Sequence, residues 1–125
     1  MIRVQVTVRR DGLTLSAVGH AGFAPRGQDV VCAGVSALLY GFVAYLEGLA
    51  PIATAGASLA GGEVPHLEVS EGDGRLTVRT RGLGGQDTAG FGVTEAGLRL
   101  IAACYPAYVT LDVYPYRKGD EHEPN

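Results

Sequence analysis

The sequence is short of several residue types, and each shortage excludes a class of protein. Among 125 residues there is no tryptophan and there are only three phenylalanines, so a core must consist mainly of aliphatic side chains and alanine. The formal net charge of −3 shows no basic excess, which argues against binding nucleic acid through bulk electrostatics. The arginines are scattered, and we expect solvated side chains at Arg9, Arg10, Arg75, Arg79 and Arg81.

Targeting signals and membrane spans are also missing. The first residues, MIRVQVTVRR, alternate in polarity and therefore do not form a signal peptide. No uninterrupted apolar stretch approaches the ~18 residues of a membrane span. Because the chain has only two cysteines and no export signal, we expect a cytoplasmic protein with free thiols rather than a disulfide.

What the sequence does contain is clear periodicity. Apolar residues make up 46% of the chain, enough for the core of one compact domain. Ile2, Val4 and Val6 alternate with polar residues, which is typical of a half-buried strand. Asp11-Gly12 is a hairpin signal leading to a second strand that ends near His20.

A long apolar helix is predicted from Asp29, which is a good N-cap, to an exit at residues 48–51 that contain Gly48 and Pro51. Glycine in a helix interior costs roughly 1 kcal/mol, so Gly34 and Gly41 suggest that another element packs closely there. Residues 53–62 resemble a connector of small residues.

The remaining chain predicts a second hairpin with strands over residues 64–69 and 75–80, a second helix over residues 88–105 and a last strand over residues 108–114. The order β-β-α-β-β-α-β indicates an α+β fold in which two helices pack on a mostly antiparallel sheet. We expect one domain over residues 1–115, followed by a polar, disordered tail over residues 116–125.

Cys32 is the residue best placed for chemistry. If Asp29 caps the helix, Cys32 lies in its first turn, where free backbone N–H groups and the helix dipole stabilise a thiolate. Those amides are also candidate oxyanion donors. Asp29 has two candidate roles that do not exclude each other, capping the helix and orienting a histidine. Cys104 falls in the last turn of the second helix, and we interpret it as a core residue.

A thiol nucleophile needs a proton acceptor, and His20 is the nearest histidine in sequence. It ends a strand whose following loop returns to Cys32, so a His–Cys dyad is geometrically plausible. The residue pattern equally allows an imidazole that caps backbone groups. Ser36, one helical turn beyond Cys32, either contacts a substrate or hydrogen-bonds back to the Cys32 carbonyl.

The loop before the helix is rich in glycine. Gly19, Gly22 and Gly27 act either as hinges of a lid or only as turns of the chain. The histidines and cysteines show none of the close pairings of zinc motifs, and the stretch GLGGQD matches no phosphate-loop fingerprint. We therefore expect neither a metal nor a cofactor.

The stretch GHAGFAPRGQDVVCAGVSALLYG resembles the signature of the ribosomal-processing cysteine proteases, the Prp family. The match begins with the Gly-His pair Gly19-His20 and the glycine-bearing loop over residues 21–28. It continues with two short motifs, Asp29-Val30-Val31-Cys32-Ala33 and Val35-Ser36. Length and element order extend the likeness over nearly the whole chain before the tail. Gly34 departs from the pattern, since the family more often has alanine there.

The resemblance implies a cysteine endopeptidase with Cys32 as nucleophile and His20 as general base, and with Asp29 beside this dyad. It implies a substrate placed against Ser36, Gly19 and Ala33, beneath a mobile loop hinged at Gly22 and Gly27. It further implies a homodimer that removes the N-terminal extension from the precursor of large-subunit ribosomal protein L twenty-seven. The cut would follow a hydrophobic, aromatic-rich motif.

Two other functions stay open on the residues alone. A non-catalytic module associated with ribosome assembly would use the same groove to hold an extended peptide, and would keep its function in a Cys32→Ser variant. A thiol-based redox sensor would pair Cys32 with Cys104, which requires their Cα atoms to lie within ~7 Å.

Overall fold

The computed structural model describes residues 1–60 and 65–117, and the side chains of residues 50–60 are not among those described. The elements follow the predicted order, with β1 at Ile2–Val8, β2 at Leu13–Val18, α1 at Val30–Ala60, β3 at His66–Gly72, β4 at Arg75–Arg81, α2 at Gln86–Cys104 and β5 at Val109–Tyr114. The predicted start of β3 at Val64 and most of the predicted tail lie outside the described residues.

The five strands form one mixed sheet in the order β3-β4-β2-β1-β5. β1 pairs antiparallel with β2, β2 with β4, and β4 with β3. β5 instead lies parallel to β1, with Ile2 opposite Val109 and Thr7 opposite Tyr114. A parallel neighbour needs a crossover connection, and the segment containing α2 connects β4 to β5. The mostly antiparallel sheet is thus confirmed.

The core lies on one face of the sheet. In β1, Ile2, Val4 and Val6 are buried while Arg3 and Gln5 are exposed, as the alternating pattern predicted. Leu13 and Leu15 of β2 and Leu76 and Val78 of β4 continue this buried face and belong to the same cluster as the buried helix residues. The helices therefore cover one face and leave the other to solvent.

Helix α1 buries a stripe of apolar residues at helical spacing, consisting of Val31, Val35, Leu39, Phe42, Val43 and Leu46. By length and composition alone, the segment Val30–Leu49, with a mean hydropathy of 1.7, is apolar enough to cross a membrane. A core helix passes the same test, and here the stripe belongs to the single buried cluster that includes the sheet.

Helix α1 continues beyond the predicted end at residues 48–51 and reaches Ala60. The predicted exit is therefore wrong, as is the predicted connector over residues 53–60, while residues 61–62 lie outside the described part. Proline in a helix interior costs ~3 kcal/mol relative to alanine, but alanine is the best helix former. Alanines at positions 53, 55, 57 and 60 favour helix in the segment that follows Pro51.

The two helices approach closely at glycines. A Cβ at Gly34 would lie 3.2 Å from Ile101 Cδ1, and a Cβ at Gly97 would lie 2.8 Å from Leu38 Cδ2. The expectation of close packing is thus right at Gly34, where the family's alanine would press against Ile101. It is wrong at Gly41, where a Cβ would meet nothing within 4 Å.

A buried polar cluster, formed by Arg9, Thr80 and Asp87, ties β2 and β4 to the start of α2. Thr80 Oγ1 donates a hydrogen bond to Asp87 Oδ2 and accepts one from Leu13 N at 2.9 Å. Arg9 Nη2 donates to Thr80 O at 2.6 Å, and this side chain is only 7% exposed. The expected solvation of Arg9 is therefore wrong, because its guanidinium is satisfied by groups of the fold, whereas Arg75, Arg79 and Arg81 are exposed as expected.

Candidate active site

The turn between β3 and β4 comes up against the chain just after β2. Gly19 N donates a hydrogen bond to Gly74 O at 2.8 Å. Gly19 has φ +103, and a Cβ there would overlap the carbonyl oxygen of Met1. Both the backbone angle and the contact require glycine. This close approach sets His20, the next residue, beside the turn.

The imidazole of His20 faces the carboxylate of Asp73 in that turn. His20 Nε2 lies 3.6 Å from Asp73 Oδ1, and the His20 side chain is 60% exposed. The His20 carbonyl accepts a hydrogen bond from Met1 N at 2.6 Å. Asp73 was not predicted as a site residue, because the pattern Glu71-Gly72-Asp73-Gly74 indicates only a hairpin turn.

Asp29 caps α1 and also holds the preceding loop. Its carboxylate accepts hydrogen bonds from Cys32 N at 2.9 Å, from Phe23 N at 3.0 Å and from Ala24 N at 3.4 Å. The Cys32 N–H contributes most to holding the Asp29 pKa below its usual value, and the bonds from Phe23 and Ala24 act in the same direction. Asp29 therefore makes the capping contact, while a different carboxylate, that of Asp73, faces His20.

The loop between β2 and α1 is anchored by an aromatic contact. The Phe23 ring packs edge-on against Tyr105 and Tyr108, with ring centroids 5.5 Å and 5.2 Å apart. Gly22 and Gly27 have φ +72 and +88, so both positions favour glycine. Each turns the chain, and the segment between Phe23 and Asp29 is mostly exposed.

Cys32 and His20 line the same two adjoining cavities. The first, called here the apolar cavity, has a volume of about 340 Å³ and a wall that includes Ala17, Val35, Leu39 and Leu76. The second, called the loop cavity, measures about 430 Å³ and lies against the loop and the first turn of α1. Four residues line both cavities, namely His20, Arg26, Cys32 and Ser36. Within the described residues, no hydrogen bond joins His20 to Cys32.

The other residues expected to contact substrate also lie at these cavities. Gly19 lines the apolar cavity, and Ala33 lines the loop cavity together with Gly22 and Gly27. Ser36 lines both, and its hydroxyl makes no hydrogen bond to any described residue. The alternative in which Ser36 bonds back to the Cys32 carbonyl is therefore not realised, and the hydroxyl is free to meet a ligand.

Two amides of the first turn are already engaged. Cys32 N donates to Asp29 Oδ1, and Ala33 N donates to Asp29 O at 3.0 Å. They are not open oxyanion donors as the sequence analysis expected, because the N-cap residue occupies them.

Tyr40 connects α1 to β3 at the edge of the apolar cavity. Its hydroxyl donates to Glu71 Oε2 at 2.7 Å, and this hydrogen bond is the main reason that the pKa of Tyr40 is raised. This contact was not predicted either, since no local sequence pattern relates a residue on an apolar helix to one on an edge strand.

Cys104 is exposed, so its interpretation as a core residue is wrong. The buried stripe of α2 runs through Phe91, Thr94 and Leu98, and half-buried Ile101 and Tyr105 carry it to the end of the helix. Cys104 lies beside that stripe rather than on it, although it is adjacent in sequence to Tyr105. Both cysteines are free thiols, and Cys32 is half-buried.

Comparison with known proteins decides the family. A family model described as "Cysteine protease Prp" matches residues 1–110. The chain belongs to this family. A ribosomal processing cysteine protease Prp from Bacillus subtilis is 48% identical over 44 residues, covering 32% of this chain and 39% of the relative. The protein of the same name from Staphylococcus aureus strain Mu50 is 43% identical over 51 residues, covering 39% of this chain and 48% of the relative. These matches thus span less than half the length of the curated relatives.

Solved structures share the Prp fold over a much larger part of the chain. The crystal structure of an essential ribosomal processing protease Prp from S. aureus, in complex with a covalently linked product peptide, has a TM-score of 0.70. It is 24% identical and covers 90% of this chain and 99% of that one. The structure of SMU.848 from Streptococcus mutans has a TM-score of 0.62 at 25% identity, covering 93% and 96%.

Proposed function

We propose that this Prp-family chain is a cytoplasmic cysteine endopeptidase in which Cys32 is the nucleophile and His20 the general base. One observation carries the proposal: the strand end that bears His20 and the helix start that bears Cys32 meet at the same two cavities. A nucleophile and a base presented to one cleft are what acyl transfer requires. The His20 side chain is 60% exposed, so a substrate that enters the cavities can reach the imidazole.

The steps follow from these positions. The proton of Cys32 Sγ passes to the His20 imidazole, and the thiolate attacks the scissile carbonyl carbon to form a tetrahedral intermediate. Its collapse releases the amine, which takes the proton from the imidazolium, and leaves a thioester on Cys32 that water hydrolyses. The Ser36 hydroxyl, which has no partner among the described residues, donates to the substrate.

We propose as substrate the precursor of large-subunit ribosomal protein L twenty-seven, from which the enzyme, acting as a homodimer, removes the N-terminal extension. The names of the curated relatives support a ribosomal substrate. The apolar cavity supports the hydrophobic, aromatic-rich cleavage motif, because its wall of Ala17, Val35, Leu39 and Leu76 suits an apolar side chain beside Cys32.

The test is cleavage of the extended precursor by purified protein, followed by mass spectrometry. We expect the wild type to release one N-terminal peptide and Cys32→Ala to lose at least ~10³-fold in rate, because the nucleophile is gone. Cys104→Ala is the matched control and should cleave normally, since Cys104 is an exposed thiol at the end of α2. Equal cleavage by the wild type and Cys32→Ala would exclude the dyad. Binding of the precursor without turnover would instead favour the peptide-binding module.

A further inference from the structure

We propose that Asp73 is a positioning residue for His20, holding the imidazole by Nε2 so that Nδ1 is the nitrogen that receives the proton of Cys32. The role assigned to Nδ1 rests on the proposed function, whereas the contact between Asp73 and His20 does not.

The geometry around the imidazole distinguishes its two nitrogens. Nε2 is the atom 3.6 Å from Asp73 Oδ1, and it would lie 2.7 Å from a Cβ at Gly74. The turn can approach this edge of the ring only because residue 74 is glycine. Nε2 therefore faces the turn. Nδ1, on the other side of the ring, is the nitrogen available in the cleft that Cys32 lines.

In the proposed resting state, Nε2 carries the hydrogen and faces the Asp73 carboxylate at 3.6 Å, and Nδ1 is unprotonated and accepts. On activation the proton leaves Cys32 Sγ and binds at Nδ1, giving a thiolate and an imidazolium whose positive charge is stabilised by the carboxylate. The same proton later passes from Nδ1 to the leaving amine, so the ring returns to its starting tautomer.

Among the described carboxylates, that of Asp73 is the one placed for this role. Asp29 is occupied by the amides of Phe23, Ala24 and Cys32. Among the ion pairs of the described residues, Asp73 provides the one carboxylate within 4.0 Å of His20, and it shares that carboxylate with Arg26 at 3.8 Å. Arg26 belongs to the loop, so Asp73 also links the loop to the β3–β4 turn.

The first experiment measures the tautomer directly and needs no proteolysis. In long-range ¹H–¹⁵N spectra of labelled protein, recorded at a pH where imidazole is neutral, His20 should show the Nε2–H form. A His20→Gln variant assigns the signals. Asp73→Ala should move them towards a mixture of the two tautomers. Glu68→Ala is the matched control, because it removes a carboxylate 3.3 Å from a different exposed histidine, His66, and should leave the His20 signals unchanged. An unchanged His20 tautomer in Asp73→Ala would overturn the proposal.

The second experiment measures turnover of a fluorogenic peptide that spans the precursor's cleavage junction. Asp73→Ala should lower kcat about tenfold and change KM less than about twofold, because an exposed carboxylate orients the base without binding substrate. Asp73→Glu, whose carboxylate can still accept from Nε2–H and stabilise the imidazolium, should restore most of kcat. A wild-type kcat in Asp73→Ala, or a loss in Asp73→Glu as large as in Asp73→Ala, would contradict positioning by this acceptor. If the wild type cleaves no peptide, the proposed function fails and the tautomer measurement decides the role of Asp73.

Discussion

At one end of the β2–β4 pair, Thr80 and Asp87 are almost fully buried and hydrogen-bonded, whereas at the other end His20 and Asp73 have side chains 60% and 75% exposed. The first end also holds Arg9, whose guanidinium bonds to Thr80 O at 2.6 Å. At the second end the His20 imidazole and the Asp73 carboxylate approach only to 3.6 Å. The same two strands thus carry a tight polar contact at one end and a loose one at the other.

The difference in burial decides what each end can do. Hydrogen bonds in a dry interior meet little competition from water and are costly to break. Exposed ion pairs contribute little to stability, typically under ~1 kcal/mol. The buried polar cluster therefore holds strand register and the start of α2, while the exposed end presents the His20 imidazole to the cavities that Cys32 also lines.

The largest expected effect comes from substituting Gly12, one of two glycines that lie at opposite ends of the β2–β4 pair. A Cβ at Gly12 would overlap the backbone carbonyl oxygen of Thr80, which can yield only if the strands shift. We expect Gly12→Ala to lower the free energy of unfolding by about 3 kcal/mol, measured by urea denaturation, while kcat of the folded fraction stays normal.

Gly74→Ala is the counterpart at the exposed end. Its φ of +65 makes alanine cost about 1 kcal/mol, and its Cβ would meet the far end of a movable side chain, His20, at 2.7 Å. We expect the smaller loss of stability but the larger loss of kcat. A pattern in which Gly12→Ala impairs kcat and Gly74→Ala impairs only stability would contradict the division of roles.

A smaller effect is expected from removing one carboxylate at each end. Asp87→Ala removes the short acceptor of the buried Thr80 hydroxyl and leaves only the longer contact to Leu13 O at 3.5 Å, and should cost about 2 kcal/mol of unfolding free energy. Asp73→Ala should leave the denaturation midpoint essentially unchanged, because Asp73 is mostly exposed. Similar midpoint shifts in the two variants would show that burial does not separate the two ends.

The smallest effect concerns Asp29, at the exposed end of the sheet. Its pKa is lowered in the folded protein, mainly by the Cys32 N–H, so the unfolded state binds the proton more readily. The stabilisation is complete above about pH 4, the ordinary range of aspartate, and is lost as the pH falls through the lowered pKa. Asp29→Asn keeps a neutral cap that does not titrate. The urea midpoints of wild type and Asp29→Asn, measured from pH 7 to pH 3, should differ by a constant amount down to about pH 4. Below that pH the difference should shrink. A difference that grows in acid would contradict the expected direction of the pH effect.

Local periodicity was sufficient to predict most elements and the candidate nucleophile. The alternation of Ile2, Val4 and Val6 follows directly from a strand with one buried face. Asp29 before an apolar run is a local capping signal, and it correctly placed Cys32 in the first turn. These predictions depend only on neighbours in sequence, which is why they needed no tertiary information.

The features that were missed depend on contacts between distant segments. Asp73 reaches His20 only because β4 pairs with β2, although α1 and β3 separate those strands in sequence. Arg9 is buried by groups of β4, including the Thr80 carbonyl, which no pattern near Arg9 could indicate. The helix through Pro51 was missed for a different reason, since proline is a strong local stop signal that the following alanines outweigh.

The contact of Phe23 with Tyr105 and Tyr108 has a consequence for synthesis of the chain. His20 and Cys32 are made well before Tyr105 and Tyr108, on which the loop between them rests, and before β5, the strand that lies beside β1. Pairing between such distant segments forms slowly compared with local structure. A nascent chain therefore contains Cys32 and His20 long before the fold can bring them to one site. An N-terminal fragment lacking β5 should show no protease activity.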